Sequence, residues 1–513
     1  MRKFARLVIL ALLCAAPVMA QDVALTSRDG AFRIDGTLLS YDGEFYRVDT
    51  IYGPLTLDGE GVDCDGPGCP DLASFVAEVR FSGTRRIADV LLPALIQAFA
   101  ERNRLTVLRE VIDDTHSTFV LRDADRIRAR FTLRATTTAE GFADLIAEEA
   151  DIALALREPR DTEVAMAREA GSGDLVRGRR ARVIALDGIV AIVAVDQPVK
   201  SLSLSQLSGV FSGQISTWSA LGGAEAEILP LTPAPDTALY EVFQTRVLSP
   251  RNAMISPDIQ TQANLEDLVD AVADDSFAIG LTTLSEIGNA DPLRISGACG
   301  FEQVPSVAAL RSEDYPLVLP LMMFTPARRL PLYARQFLEF TSSPAADLVI
   351  RRSGFVDQSI TTSDFTALGD RLAHAITRAG PDVPLSELQR LVAGLRGRDR
   401  LSTTFRFEAG TKLDIQSREN IMRLARALET GAFDGKSLLF VGFSDSEGPS
   451  EPNMRLSQSR AEKVQDLVRD AADTADFAQI ELRSEAFGEA LPIACDDTAW
   501  GRAVNRRVEV WVN

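Results

Sequence analysis

The pattern of hydrophobic and polar positions changes several times along the chain. Residues from about 22 to 70 alternate with a period of two and carry Asp-Gly and Gly-Pro turns, which predicts a small module of short β-strands. From Phe75 to about Val356, apolar strand patterns alternate with helical periodicity, beginning with a predicted helix from Ile87 to Glu101. This alternation predicts an α/β region with a largely parallel sheet.

Two further helical stretches follow this region, Thr362 to Arg378 and Leu385 to Leu395. Their apolar residues recur at helical spacing, which indicates a stiff connector over residues 358–400 and not a disordered linker. Beyond it, a helical stretch from Ser417 to Leu428 precedes an apolar strand that ends near Phe443.

The first twenty residues have the pattern of a secretory signal peptide. A basic start at Arg2, Lys3 and Arg6 precedes an apolar run from Leu7 to Ala16, which is too short to span a bilayer. We expect cleavage after Ala20 and a periplasmic protein without a transmembrane segment. Lipidation of Cys14 is not expected, because Leu13 stands where lipoprotein signals need a small residue.

Charge and composition exclude several classes of function. The net charge is -19, and no basic patch stands out to neutralise phosphates, so nucleic acid is not an expected partner. The chain has two histidines, His116 and His374, each isolated from any recognisable nucleophile or metal-ligand motif. We therefore expect no enzyme activity, no metal and no cofactor.

Four of the five cysteines follow the predicted signal peptide. Cys64 and Cys69 bracket the tight turn C-D-G-P-G-C, and in an oxidising compartment a local disulfide is the simplest interpretation. Cys299 and Cys495 lie far apart in the sequence. Either they pair across domains or each is free, and the sequence leaves both possibilities open.

An acid and a base stand close together near the C-terminus. Asp445 follows an apolar strand, Arg460 lies on the next predicted helix, and a loop with Gly448, Pro449 and Asn453 joins them. A carboxylate and a guanidinium on neighbouring elements suit a zwitterionic ligand, because each can form a charge-assisted hydrogen bond.

The segments around this pair resemble a known family. F-R-F-E-A-G-T-K-L-D, V-G-F-S-D-S-E-G and N-R-R-V-E-V-W-V occur in the order found in OmpA-like peptidoglycan-binding domains, over roughly residues 401–513. The resemblance implies a βαβ-type domain in which Asp445 and Arg460 grip the diaminopimelate of the peptidoglycan stem peptide. It also implies that Asn453 orders the loop and contacts the ligand, and that Arg507 supports the fold or shapes the site. Which of Arg506 and Arg507 faces the ligand stays open in the sequence. One departure is that Phe443 and Ser444 replace the His and Thr common in the family.

A second resemblance covers roughly residues 74–357. F-S-G-T-R-R and L-S-L-S-Q-L-S-G-V-F-S-G, followed by Trp218, are similar to type II periplasmic solute-binding proteins of the phosphate-binding branch. That family has two α/β lobes with a ligand cleft between them. Matching positions gives a set of expected anion-binding residues: Ser82, Gly83, Thr84, Thr136, Thr137, Thr138, Arg157 and Thr237.

The phosphate-binding pattern is incomplete in this chain. Where the family has an Arg followed by Ser-Gly-Thr, the sequence reads L-T-P-A-P-D-T-A-L-Y. Thr237 remains, the Arg is missing, and Asp236 adds a negative charge that repels an oxyanion. The hydroxyls and helix starts still suit an oxyanion or a carboxylate.

These observations predict a multidomain α/β protein of the cell envelope. Its expected parts are a signal peptide (1–20), a small β module (21–73), a two-lobed solute-binding-like domain (74–357), a helical connector (358–400) and an OmpA-like domain (401–513). We expect it to bind peptidoglycan and a small anion such as phosphate, in the periplasm and in association with the cell wall and the outer membrane. The alternatives are a phosphate receptor of an ABC importer, or a structural envelope protein whose cleft has lost its ligand.

Overall fold

The computed structural model of the chain describes residues 22–72, 74–378 and 383–513. The predicted signal peptide, its cleavage site and Cys14 lie outside these residues. Within the described part of the chain, no helix is both long enough and apolar enough to cross a membrane.

The N-terminal module is a five-stranded antiparallel sheet. Its strands, in the spatial order β4-β3-β2-β1-β5, are β1 (Val23–Ser27), β2 (Arg33–Tyr41), β3 (Phe45–Thr50), β4 (Gly53–Asp58) and β5 (Val62–Asp65). Alternate residues such as Leu25, Tyr46 and Val48 fill its small core. The structure joins Cys64 to Cys69 at the end of β5. The module therefore has a core and a covalent staple of its own.

The two-lobed domain contains fourteen strands and nine α-helices among the described residues. The strands are β6 (Ala77–Thr84), β7 (Thr106–Val111), β8 (His116–Asp123), β9 (Arg126–Thr136), β10 (Ile152–Ala155), β11 (Ala181–Val193), β12 (Ser201–Ser203), β13 (Leu229–Pro233), β14 (Gln260–Gln262), β15 (Ala278–Thr283), β16 (Asp291–Pro292), β17 (Arg294–Ser296), β18 (Glu302–Gln303) and β19 (Val318–Phe324). The helices are α1 (Leu92–Arg102), α2 (Thr138–Ile146), α3 (Asp161–Glu169), α4 (Leu204–Phe211), α5 (Ala238–Phe243), α6 (Leu265–Ala273), α7 (Val307–Arg311), α8 (Leu332–Phe340) and α9 (Pro344–Arg352).

The main sheet of this domain is mixed and not largely parallel as the sequence predicts. Its order is β14-β13-β15-β11-β19-β10-β6-β9-β8-β7. Parallel pairs lie within each lobe, such as β6 with β9 and β13 with β15, whereas β11 pairs antiparallel with its neighbours. The antiparallel pairs lie around β11 and β19 at the centre of the sheet and in the β7-β8-β9 meander at its edge, and strand–helix alternation in the sequence does not reveal either group.

Strand β11 connects the two lobes. Its first half, Ala181 to Gly188, pairs with β19, and its second half, Ile189 to Val193, pairs with β15. The first lobe (residues 77–180 and 318–352) therefore lies on one side of this strand and the second lobe (residues 194–303) on the other. All but one of the thirteen residues of β11 are buried, so the strand forms the centre of a shared core.

The C-terminal domain, residues 358–513, is built on a second mixed sheet. Its strands are β20 (Thr362–Ser363), β21 (Asp399–Ala409), β22 (Lys412–Leu413), β23 (Ser437–Phe443), β24 (Glu481–Gly488) and β25 (Arg507–Val512), and its helices are α10 (Gly369–Arg378), α11 (Leu385–Leu395), α12 (Ile415–Glu429), α13 (Ser450–Ala471) and α14 (Ala499–Asn505). Helices α12 and α13 pack on one face of the sheet in the order β20-β21-β25-β23-β24. The predicted mixed α/β fold class is confirmed, with two α/β lobes and a C-terminal domain that has its own sheet and helices.

The predicted connector differs from the expectation. Thr362 and Ser363 pair with β21, and the first helix begins only at Gly369. Helices α10 and α11 bury apolar residues such as Leu391 and Leu395 against Phe443 and Trp511 on the second face of the sheet. The connector is therefore a layer of the C-terminal domain and not a spacer between domains.

Candidate functional site

The acid and the base predicted near the C-terminus lie on neighbouring elements of the C-terminal domain, just after β23 and on α13. The space around these two side chains and Arg506 is named the C-terminal pocket. Asp445 follows the fully buried strand β23 and is itself only 6% exposed. Arg460 lies on α13, which packs along the same strand. The charge of Asp445 acts on the pKa of Arg460, which places the two side chains in a shared electrostatic environment.

Asp445 is held by a residue that the sequence analysis left undecided. The Nη1 group of Arg506 donates to Asp445 Oδ2 at 2.5 Å. About a quarter of the Arg506 side chain is exposed, whereas that of Asp445 is almost completely covered. Arg506 is therefore the solvent-facing member of this ion pair and Asp445 the covered one.

Arg460 is a buried cation with unused hydrogen-bonding capacity. It is 2% exposed, its Nε donates to the carbonyl of Gly410 at 2.9 Å, and its guanidinium lies 5.1 Å from the ring centre of Phe407. Its buried Nη1 has no hydrogen-bond partner among the described residues. Burial, reinforced by the neighbouring charge of Arg506, lowers the pKa of Arg460 to about 10. A buried cationic N–H without an acceptor is costly, so it is a ready donor for an anionic group of a ligand.

Asn453 fixes the loop between the acid and the base. Its Nδ2 donates to the carbonyls of Asp445 and Glu447, at 3.3 and 3.0 Å, and to the carboxylate of Glu489 at 2.9 Å. Asn453 thus links α13 to the loop that carries the acid. This agrees with the loop-ordering part of its expected role.

Arg507 has a different position from the other three residues. It is completely buried, donates through Nε to Glu509 at 2.8 Å, and lies 4.2 Å from the ring centre of Phe443. Burial lowers the pKa of Arg507 to about 9. Arg507 therefore supports the sheet beneath the pocket, and Arg506 is the arginine that faces Asp445. All six residues of β25 are buried, so alternation along the strand does not distinguish the two arginines.

A larger cleft of about 1240 Å³ lies between the two lobes. The starts of four helical segments contribute to its wall, near Arg86, Thr137, Thr237 and Asn264. Helix N-termini present backbone N–H groups and a positive dipole end, which favours an anion. The fold thus forms the type of cleft that the sequence predicts.

Four of the expected anion-binding residues line this cleft: Thr84, Thr136, Thr137 and Thr237. Two of these hydroxyls cap helices, since Thr137 accepts from the Glu140 N–H and Thr237 from the Tyr240 N–H. Capping uses one lone pair of each hydroxyl, so these side chains have both a structural and a potential ligand-binding role.

The remaining expected residues do not line the cleft. Ser82 is buried and donates to Asp144 at 2.5 Å, and Gly83 pairs within the sheet beside Leu154. Thr138 is buried, and its hydroxyl accepts from the Leu156 N–H. These three residues position the loops, and the structure corrects their assignment as direct contacts.

Arg157 also lies outside the cleft wall. It forms ion pairs with Glu163 and Glu241, at 2.8 and 3.0 Å, and its guanidinium lies over the ring of Phe142. Two carboxylates already neutralise this guanidinium. The structure therefore assigns Arg157 to an ion-pair network that joins the lobes.

Arg86, which is outside the set of expected anion-binding residues, is the most buried arginine of the cleft wall. Its guanidinium donates to Asp187 at 2.7 Å and pairs with Glu286 at 2.9 Å. It also donates to the hydroxyls of Thr283 and Ser285. Asp187 lies on β11 and Glu286 in the second lobe, so two carboxylates already pair with Arg86 without a ligand.

Negative side chains outnumber positive ones along the cleft wall. The carboxylates are Asp89, Glu140, Asp236, Glu266, Asp270 and Glu286, and the arginines are Arg85, Arg86 and Arg134. Arg134 is paired with Asp144 at 2.5 Å, and Arg85 lies 3.7 Å from Asp89. This balance disfavours a dianion, because each negative charge of a ligand in the cleft is repelled by the excess of carboxylates.

Comparison with known proteins identifies the two main regions. Residues 76–345 match the family described as "PBP superfamily domain". The chain is similar to the probable lipoprotein YiaD of Escherichia coli, 42% identical over 71 residues, or 14% of this chain and 30% of that protein. It is also similar to the outer-membrane lipoprotein YfiB of Pseudomonas aeruginosa, 37% identical over 101 residues, or 20% of this chain and 56% of that protein.

These alignments extend over only part of each curated relative, 30% and 56% of their lengths. An ABC-type phosphate transport receptor from Vibrio cholerae aligns structurally with 16% identity and a TM-score of 0.42, over 54% of this chain and 99% of that one. The chain also has OmpA-like homology: it is similar to outer membrane protein A of Bordetella avium, 36% identical over 109 residues, or 21% of this chain and 52% of that protein. Families of both kinds consist of binding and envelope proteins.

Proposed function

The chain belongs to the PBP superfamily, and from this premise we propose that it is a non-catalytic envelope protein that binds peptidoglycan and a small anion. The C-terminal pocket holds the diaminopimelate of the stem peptide, and the cleft between the lobes holds the anion. Its proposed location is the periplasm, in association with the cell wall and the outer membrane. The similarity to outer-membrane lipoproteins supports this location.

One observation supports the peptidoglycan assignment: a buried carboxylate and a buried guanidinium with an unpartnered nitrogen lie close enough for their charges to interact. Diaminopimelate carries an ammonium and a carboxylate on one carbon atom. Its carboxylate would satisfy Nη1 of Arg460, and its ammonium would approach Asp445. Charge-assisted hydrogen bonds of this kind are stronger than neutral ones, and partial burial increases their contribution.

Arg506 adds a condition to this binding mode. Because Arg506 already pairs with Asp445, an incoming ammonium must share or displace that contact. The exposed side of Arg506 can move outward and meet a second carboxylate of the stem peptide. A pocket of this kind selects zwitterions over simple cations, since a cation alone would meet Arg460 and Arg506.

Pull-down with purified peptidoglycan tests this proposal. We expect Asp445→Ala and Arg460→Ala to weaken binding by roughly 30-fold or more. The first variant leaves the ammonium of the ligand without its partner, and the second leaves the carboxylate of the ligand without its partner. Arg455→Ala is the matched control, since Arg455 lies on the same helix with an exposed side chain paired to exposed Glu451. Circular dichroism should show that all three variants are folded. Retention of wild-type binding by both pocket variants would rule out the pocket.

The anion in the cleft is proposed to carry a low charge. Helix starts and threonine hydroxyls on both lobes favour an oxyanion or a carboxylate, whereas the excess of wall carboxylates opposes phosphate. Calorimetry of the whole protein with phosphate, sulfate and small carboxylates tests this. We expect a small carboxylate to bind more tightly than phosphate. Tight phosphate binding would instead identify an import receptor, and no response to any of these anions would indicate a cleft that has lost its ligand.

A further inference from the structure

The second lobe is covalently joined to the C-terminal domain. Cys299, in the turn between β17 and β18, forms a disulfide with Cys495, in the loop between β24 and α14. The two residues are 196 positions apart in sequence. A link of this length joins two domains and is not a local staple like Cys64–Cys69.

Glycine allows the close approach on each side of this disulfide. A Cβ atom at Gly297 would lie 2.3 Å from Cys495 Sγ, and one at Gly501 would lie 1.8 Å from the Cys495 carbonyl oxygen. Cys495 is therefore tightly packed between the second lobe and the start of α14. Its loop has little freedom to shift independently of either.

The residues around Cys495 form hydrogen bonds to two different parts of the molecule, the second lobe and the loop after β23. Asp497 Oδ2 accepts from the Ala298 N–H at 3.0 Å, and the carbonyl of Ile493 accepts from Gln303 at 3.0 Å, so both bind the second lobe. Asp496 Oδ2 instead accepts from the Ser446 N–H at 2.8 Å. Ser446 is next to Asp445, the acid of the proposed peptidoglycan pocket.

The same loop also supports Arg506, the partner of that acid. Asp496 Oδ1 accepts from Asn505 Nδ2 at 2.7 Å, and the Asp496 carbonyl accepts from Arg502 at 2.9 Å. Asn505 is the last residue of α14 and directly precedes Arg506. Asp496 thus positions both halves of the Asp445–Arg506 pair.

The C-terminal domain is fixed to the remainder of the two-lobed domain at other points. Arg426 donates to the carbonyl of Ser342 at 3.4 Å, and Arg423 lies 3.9 Å from Asp347; both partners belong to the first lobe. A movement of the second lobe relative to the first must therefore pull on the loop that carries Cys495.

We propose that the segment Ile493–Asp497 couples the second lobe to the peptidoglycan pocket, with the Cys299–Cys495 disulfide as its anchor and Asp496 as its positioning residue. This inference rests on the proposed function of that pocket. By thermodynamic reciprocity, a cleft ligand that moves the second lobe would change the affinity for peptidoglycan, and peptidoglycan would change the affinity for that ligand by the same factor.

Titration of the full-length protein with a diaminopimelate-containing stem peptide tests the coupling. We expect the double variant Cys299→Ser/Cys495→Ser to bind about fivefold more weakly than the wild type, at the lower end of typical coupling between sites. Cys64→Ser/Cys69→Ser is the matched control, because it removes the other disulfide from a module that does not contact the pocket; it should bind like the wild type. Equal affinity of the Cys299→Ser/Cys495→Ser variant and the wild type would overturn the coupling while leaving the peptidoglycan assignment intact. No binding by the wild type would overturn both.

A second set of variants separates positioning from general stability. Asp496→Ala should weaken stem-peptide binding and speed hydrogen exchange at the Ser446 amide, while protection of β23 stays unchanged. Asp496→Asn keeps one acceptor oxygen and should restore part of the affinity. If Asp496→Ala left both the affinity and the Ser446 exchange rate unchanged, Asp496 would have no positioning role.

Discussion

At the scale of single residues, Glu313 shows how the fold controls protonation. It lines a cavity of about 480 Å³ between the two-lobed domain and the C-terminal domain. Burial, reinforced by the charges of Asp414 and Asp314 and opposed by Arg406, raises the pKa of Glu313 to about 8. Burial also raises the pKa of Asp414 across the same cavity. At this cavity the folded structure therefore favours the neutral form of Glu313 and Asp414.

This protonation predicts how stability depends on pH. A carboxyl group with a higher pKa in the folded than in the unfolded protein keeps its proton on folding. Its contribution to the free energy of unfolding is therefore present at low pH and is lost as pH rises through about 8. We expect Glu313→Gln to reduce the fall in melting temperature between pH 5.5 and pH 8. Glu339→Gln, which changes an exposed glutamate, serves as the control. Equal pH dependence in the wild type and Glu313→Gln would contradict the assignment.

The residues of the C-terminal pocket were partly predictable from the sequence. Asp445 and Arg460 belong to a local pattern of strand, loop and helix, so their neighbourhood follows from connectivity. The choice between Arg506 and Arg507 depends on tertiary contacts, because Glu509 holds Arg507 together with Arg371 and Arg400. These partners lie more than a hundred residues upstream, and the sequence around β25 contains no sign of them.

At the scale of elements, the residue that caps the N-terminus of α2 also lines the cleft. Thr137 is its N-cap, and the Thr137 hydroxyl accepts from the Glu140 N–H at 3.2 Å. Thr136 also lines the cleft, but its hydroxyl donates to the Thr137 carbonyl and caps no helix. The two neighbouring threonines thus offer a direct comparison of a capping and a non-capping hydroxyl.

We expect Thr137→Ala to lower the free energy of unfolding by about 1 kcal/mol, the usual cost of losing an N-cap. Thr137→Ser should retain most of the stability, because it keeps the accepting oxygen. Thr136→Ala should have a smaller effect. Denaturant unfolding of the three variants measures this order, and an equal loss for Thr136→Ala and Thr137→Ala would show that capping is not what Thr137 contributes.

Helical periodicity predicted several of the helices, but it did not predict where they pack. The stretch from Leu385 to Leu395 is a helix with the predicted bounds. Its apolar stripe was interpreted as the face of a bridging connector, whereas it covers the second face of the C-terminal sheet. Amphipathic spacing shows that a face is buried, and the identity of the covering surface depends on residues distant in sequence.

At the scale of the whole molecule, the two domains form a charged interface and are not separate units on a tether. Asp314 of the two-lobed domain pairs with Arg400 at 2.5 Å and lies 3.6 Å from Arg406. Arg400 continues to Glu509 at 3.2 Å. Although burial opposes it, Arg400 lowers the pKa of Asp314 to about 2. An isolated charged residue in a sequence is expected on the solvent-exposed surface, so this buried interface could not be predicted from the sequence alone.

Replacement of Asp314 should allow the two-lobed domain and the C-terminal domain to unfold independently. Asp314→Asn leaves Arg400 and Arg406 without a full counter-charge, and breaking a buried ion pair in this way costs about 3–5 kcal/mol. We expect calorimetry to show one cooperative transition for the wild type and two for Asp314→Asn, because the C-terminal domain would then unfold independently of the lobes. Asp291→Asn is the matched control, since Asp291 forms a similarly short ion pair with Lys200 in which both side chains are about 40% exposed. Exposed pairs contribute little, so this control should keep a single transition. A single transition in both variants would mean that apolar packing, and not the buried charges, holds the lobes and the C-terminal domain together.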